Sequence, residues 1–220
     1  MGETILAMGG CGFGTLLDDY VLELADGPKI CFLPTASGDD DWALVRFYER
    51  FGARAETSHV VFHPWPRSDL REHVLGQDAL YVGGGNTANM LAIWRLHGFD
   101  ALLREAWESN VLLCGWSAGM ICWFEAGVTD SFGPELAGMQ DGLGFLPGSA
   151  CPHYDGEGQR RPTYQRLVCD GFPPGYAADD AVGLLFAGTE LRETVATKPG
   201  SRAYRVSADG EEPLEARLLR

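Results

Sequence analysis

Ser117 stands at the centre of Gly115-Trp116-Ser117-Ala118-Gly119, a G-x-S-x-G pattern, and its neighbours give that serine a chemical use. Residues 111–114 are apolar without a polar face, as in a strand buried on both sides. An apolar stretch long enough for a helix follows. Strand, tight turn with a central serine, then helix is the order of a nucleophile elbow. So sharp a turn strains the serine backbone, and glycine neighbours let strand and helix pack closely around it. The turn lifts the hydroxyl out of the sheet and aims a helix N-terminus at it, where N–H groups stabilise a developing oxyanion. The chemistry is attack on a carbonyl. The same five residues also fit a plain glycine-rich loop whose serine caps the helix, so the partners of Ser117 decide.

A nucleophilic serine needs a base, and the base needs an orienting group. His153, in Cys151-Pro152-His153-Tyr154-Asp155, lies in a loop-like context downstream. Because elbow hydrolases run in the order serine, acid, histidine, Asp130 in Val128-Thr129-Asp130-Ser131 is the expected acid, with Glu125 and Asp155 in reserve. The triplet Gly83-Gly84-Gly85 ends a strand-like run at 78–82 and exposes backbone N–H groups. One of these, from Gly84 or Gly85, can supply a second oxyanion donor beside Ala118 N–H. Asn86 or Thr87 then caps the next helix.

The elements that must hold these groups follow from periodicity. Strands are expected at 4–8, 29–33, 58–62, 78–82 and 111–114, and helices at 16–25, from Asp39-Asp40-Asp41 onward, at 69–75, 87–97 and 99–109. That alternation signals an α/β fold, a mostly parallel sheet with helices on both faces. Glycines 9, 10, 12 and 14 miss both the dinucleotide and the P-loop spacing, and read instead as a turn bordering the active end of the sheet. After residue 125, Gly and Pro become frequent. A helix at 162–168 and β runs near 176–186, 190–197 and 202–206 are expected there, as a short antiparallel β extension of one domain spanning 1–220.

Composition narrows the partners. With 31 acidic against 17 basic residues, a net charge of −14 argues against nucleic acid or an anionic membrane surface. No apolar run reaches the ~18 residues of a membrane span, and the N-terminal residues carry no basic leader, so the expected location is cytoplasmic. The six cysteines lack a C-x-x-C pair and read as reduced, buried small hydrophobes. His59 and His63 form the one histidine pairing, without an acidic or thiol ligand nearby, so no metal and no cofactor is expected.

Taken together, Tyr81-Val82-Gly83-Gly84-Gly85-Asn86-Thr87, the elbow, and His153 with its following arginines resemble the peptidase E (aspartyl dipeptidase) family of serine peptidases. These motifs span about the middle half of the chain. The resemblance implies a glutamine-amidotransferase-like, flavodoxin-like fold and cleavage of dipeptides with an N-terminal aspartate, by a Ser-His-Asp or Ser-His-Glu triad without metal. Ser117 would be the nucleophile and His153 the base. Gly84 or Gly85 with Ala118 would form the oxyanion hole, and Asn86 would contact substrate. An arginine after the histidine would read the substrate carboxylate. Arg160, Arg161 and Arg166 all qualify; Arg161 is preferred, because Pro162 fixes the backbone after it, with Arg160 in reserve. The expected partner is a small peptide, with a homodimer as the oligomeric option. Rival readings are a β-aspartyl peptide hydrolase of the cyanophycinase type and a non-catalytic amidotransferase-like binding module. An α/β-hydrolase esterase is disfavoured by length and by an elbow that follows four strands without a cap.

Overall fold

Five short apolar strands alternate with helices through the first half of the chain. The computed structural model describes residues 2–220. The elements run β1 (Thr4–Met8), α1 (Leu16–Leu24), β2 (Lys29–Leu33), α2 (Asp41–Phe51), β3 (Glu56–His59), α3 (Leu70–Leu75), β4 (Ala79–Val82), α4 (Thr87–Leu96), α5 (Phe99–Glu108) and β5 (Leu112–Trp116). All five strands are parallel, in the order β1-β5-β4-β2-β3. Their side chains alternate between two apolar layers. Ile5, Ala7, Leu33, Val82 and Leu113 meet α4 and α5 through Met90, Trp94 and Leu103, whereas Leu6, Met8, Phe32, Tyr81 and Cys114 meet α1 and α2 through Leu17, Val21, Phe47 and Phe51. Burial on both faces is why these strands read as continuous apolar runs. The fold is α/β, its main sheet mostly parallel, with helices on both faces.

The second half departs from expectation. The helix after the elbow, α6 (Ala118–Ile121), is a single turn, and the apolar residues behind it enter β6 (Phe124–Thr129). Trp123 and Phe124 are buried all round, a pattern that serves a core strand as well as a helix. Then come β7 (Ala137–Met139), β8 (Leu146–Cys151), α7 (Arg160–Cys169), β9 (Gly175–Ala178), β10 (Val182–Ala187), β11 (Glu190–Ala196), β12 (Ala203–Ser207), β13 (Gly210–Leu214) and β14 (Arg217–Leu218). Only β10 and β11 form the expected antiparallel extension, β10 lying beside β1. Strands β9, β12 and β13 join β6, β7 and β8 in a second, six-stranded mixed sheet. Phe124 and Tyr176 of that sheet pack edge-on and tilted around Phe186 of the first. No helix among the described residues is long and apolar enough to cross a membrane.

Candidate active site

Strand β5 delivers Ser117 to the carboxyl edge of the main sheet, where open α/β sheets bind their ligands. The serine has φ 58° and ψ −110°, a left-handed backbone that costs a non-glycine residue of order 1–3 kcal/mol and persists only where its surroundings enforce it. Here its N–H donates to Met8 O of the neighbouring strand at 3.2 Å, and its carbonyl accepts from Met120 and Ile121 N–H at 2.9 and 3.0 Å. Helix and sheet meet closely at this point. A methyl group on Gly119 would overlap Val82 O, so the second glycine of the pattern is a requirement of packing. The N–H groups of Ala118 and Gly119 open the helix and have no partner within it. Gly84 lies so close to the Trp116 ring that a methyl group on it would overlap the ring, which brings the glycine triplet after β4 alongside the elbow.

The candidate base, His153, comes from the other sheet. His153 follows β8 with φ 55°, and its Nδ1–H donates to Asp180 Oδ1 at 2.8 Å. A carboxylate at Nδ1 leaves Nε2 as the proton acceptor. Asp180 sits where the chain crosses from β9 back to β10, and its N–H is held by Asp155 Oδ1 at 2.8 Å. Gly10, two residues beyond Met8, touches both partners. It pairs with Asp180 as a lone bridge, its carbonyl accepts Ala181 N–H at 2.6 Å, and any side chain on it would overlap the His153 ring and the Asp180 carboxylate. The glycine turn after β1 therefore borders the site, as its position suggested.

The carboxylate paired with His153 is thus Asp180 and not Asp130. Asp130 is exposed at the end of β6, beside Ser131, whose carbonyl accepts from Asn86 Nδ2 and whose hydroxyl accepts from Ala88 N–H. Of the reserves, Glu125 is spent on Gly148 N–H, and Asp155 supports Asp180. The order serine, acid, histidine points upstream of His153, whereas the topology returns the chain to β1 only after it. The signal present was an acidic pair, Asp179-Asp180, directly before an apolar strand run. Asp179 is itself buried, with Oδ2 accepting Arg202 N–H at 2.8 Å and Oδ1 unpartnered. Burial, with Asp155 and Asp180 nearby, pushes its carboxyl up to about 6.

The arginines also lie elsewhere than expected. Arg161 forms an ion pair with Glu211 of β13 and stacks over Tyr154 and Tyr204; it braces the second sheet. Arg160 is buried, its Nε on Glu157 at 2.7 Å and its Nη1 on Val128 O at 2.8 Å. Arg166 is exposed on α7. Asn86 caps α4 through Asn89 N–H while reaching Ser131, so its side chain fastens the turn after β4. Burial pushes the thiols of Cys114 and Cys122 well up, leaving them neutral and non-nucleophilic. Among the described residues no group of three His, Cys, Asp or Glu side chains is placed to hold a metal ion.

The family model of peptidase family S51 matches residues 5–194. The chain belongs to peptidase family S51. It is a serine-type peptidase. Over 98% of its length it is 48% identical to the "Uncharacterized peptidase YgaJ" of Bacillus subtilis (strain 168), covering 97% of that protein. It is 28% identical to "Peptidase E" of Shewanella denitrificans over 56% of this chain and 57% of that one. A crystal structure of a peptidase from an acI-B1 Actinobacterium superposes with a TM-score of 0.71 over 98% of this chain and 95% of that one, at 17% identity, and so shares its fold. Ser117, His153 and Asp180 all fall inside the S51 match.

Proposed function

We propose that this S51 peptidase hydrolyses small peptides, dipeptides with an N-terminal aspartate above all, through a triad of Ser117, His153 and Asp180. Ser117 Oγ attacks the scissile carbonyl as His153 Nε2 takes its proton. Ala118 N–H and a backbone N–H of Gly84 or Gly85 bind the oxyanion. Collapse of the tetrahedral intermediate expels the amine, which takes the proton back from His153 and leaves an acyl-enzyme. Water, deprotonated by the same nitrogen, then releases the acid. The observation that carries the reading is the 2.8 Å His153–Asp180 pair packed on Gly10, one strand away from the positive-φ serine.

The aspartate preference draws support from the peptidase E relative and from Arg160. With Nε and Nη1 engaged, its Nη2 remains for a substrate carboxylate, in place of Arg161. A fluorophosphonate probe should add one phosphonyl group, mapped to Ser117, and Ser117→Ala should abolish it. A dipeptide panel should rank Asp-Xaa first. Arg160→Lys should lower the preference for Asp-Xaa over a neutral N-terminal residue by about tenfold or more, because an ammonium cannot hold Glu157 and Val128 O and also present a donor where Nη2 lies. Labelling elsewhere would overturn the triad, and an unchanged ratio would remove Arg160 as the reader.

A further inference from the structure

The turn between β1 and α1 has glycine at four of its six positions from Gly9 to Gly14, so its own side chains do little to fix its path. One end is tied at Gly10 to Ala181. The other end is tied by a carboxylate. Asp18, fully buried, accepts Gly14 N–H at 2.7 Å and Thr15 N–H at 3.2 Å on Oδ2, which also takes Arg50 Nε–H at 2.9 Å; Oδ1 accepts the Tyr81 hydroxyl at 3.0 Å. Arg50 closes the bracket by donating to Thr15 O at 2.9 Å. Part of this is a capping box for α1, but a cap needs neither Arg50 nor Tyr81. Tyr81 stands two residues before the glycine triplet, and the turn itself carries Gly10, the glycine beneath His153 and Asp180. One buried carboxylate therefore fixes both glycine segments that flank the elbow.

We infer that Asp18 is a positioning residue for the peptidase reaction: it holds the β1–α1 turn so that Gly10 seats the His153–Asp180 pair, and it ties β4 in the same register. The inference rests on the triad reading above, and its test separates the two. Cys11, in the middle of the turn, is half-buried, and burial together with Asp18 pushes its thiol up; it reports the order of the turn through its alkylation rate. Asp18→Ala removes every acceptor, while Asp18→Asn removes the charge but can keep the bonds, its oxygen toward Gly14 and Thr15 and its amide toward Tyr81. Any effect of charge alone on Cys11 is common to both variants, so their difference reads the turn.

The expected result is alkylation of Cys11 roughly tenfold faster in Asp18→Ala than in Asp18→Asn. Phosphonylation of Ser117 should fall about 10²-fold in Asp18→Ala, the size expected of an ångström-scale misplacement, and should largely return in Asp18→Asn. Leu103→Ala, buried on the far layer, should lower the melting temperature without either effect. If Asp18→Ala does not fold, Tyr81→Phe and Arg50→Gln each remove part of the bracket and should give smaller changes of the same two kinds. A freed Cys11 with unchanged Ser117 labelling overturns the inference, as does a Cys11 that stays protected. If wild-type Ser117 takes no label, the triad reading fails, and Asp18 is judged by the downfield Nδ1 proton of His153, which should be kept in Asp18→Asn and lost in Asp18→Ala.

Discussion

A histidine serves as a base only when one ring nitrogen is kept as an acceptor, and at position 153 the carboxylate that does so lies 27 residues downstream. Asp180→Asn should therefore lower kcat by about 10⁴ through the wrong tautomer, while Asp130→Asn, at an exposed site, should stay within a few-fold of wild type in the same assay. Asp179 offers a test by pH. Its folded value near 6 lies above the ~3.9 of an unfolded aspartate. The folded chain therefore holds the extra proton between about pH 4 and 6, and stability falls as pH rises through that window. Asp179→Asn should flatten this slope by roughly 1–3 kcal/mol in urea titrations at pH 4.5 and 7.5. Ser117, His153 and the glycine triplet were legible because each sits in a local pattern with its own chemistry. Asp180 was not, since its place is set by where β10 rejoins the sheet, and Arg161 misled because its partner Glu211 lies 50 residues on.

At the scale of elements, the turn after β1 behaves as part of the site. Gly10→Ala puts a methyl group into the His153–Asp180 pair, and kcat should drop by about 10² or more with KM little changed, as steady-state kinetics on any cleaved dipeptide would show. The alternation of strands and helices up to β5 was readable because each run there has one period and ends on Gly, Pro or a capping side chain. Past the elbow the signal fails for a physical reason. Strands β6, β7 and β8 all carry glycine or proline, and Trp123 and Phe124 are buried on every side, so neither a period of 2 nor one of 3.6 survives.

Across the whole molecule, the contact of the two sheets is also the assembly of the site: Ser117 belongs to the first, His153 to the second, and Asp180 to the crossing between them. Phe124 fills that contact with Phe186 and Tyr176. Phe124→Ala should cost about 3–5 kcal/mol, and its urea midpoint for activity should fall below that for the circular dichroism of the remaining sheet. Coincident midpoints would mean that the sheets part only on global unfolding.

The position of Asp180 also sets a clock on the ribosome. Ser117 is made first, His153 36 residues later and Asp180 63 residues later. At roughly 5–20 residues per second, about 3–13 s separate Ser117 from Asp180. Under the proposed triad, the nascent chain carries its nucleophile throughout that interval without an oriented base. With that triad, the chain should gain activity only once β10, the strand that closes the second sheet onto the first, has been translated.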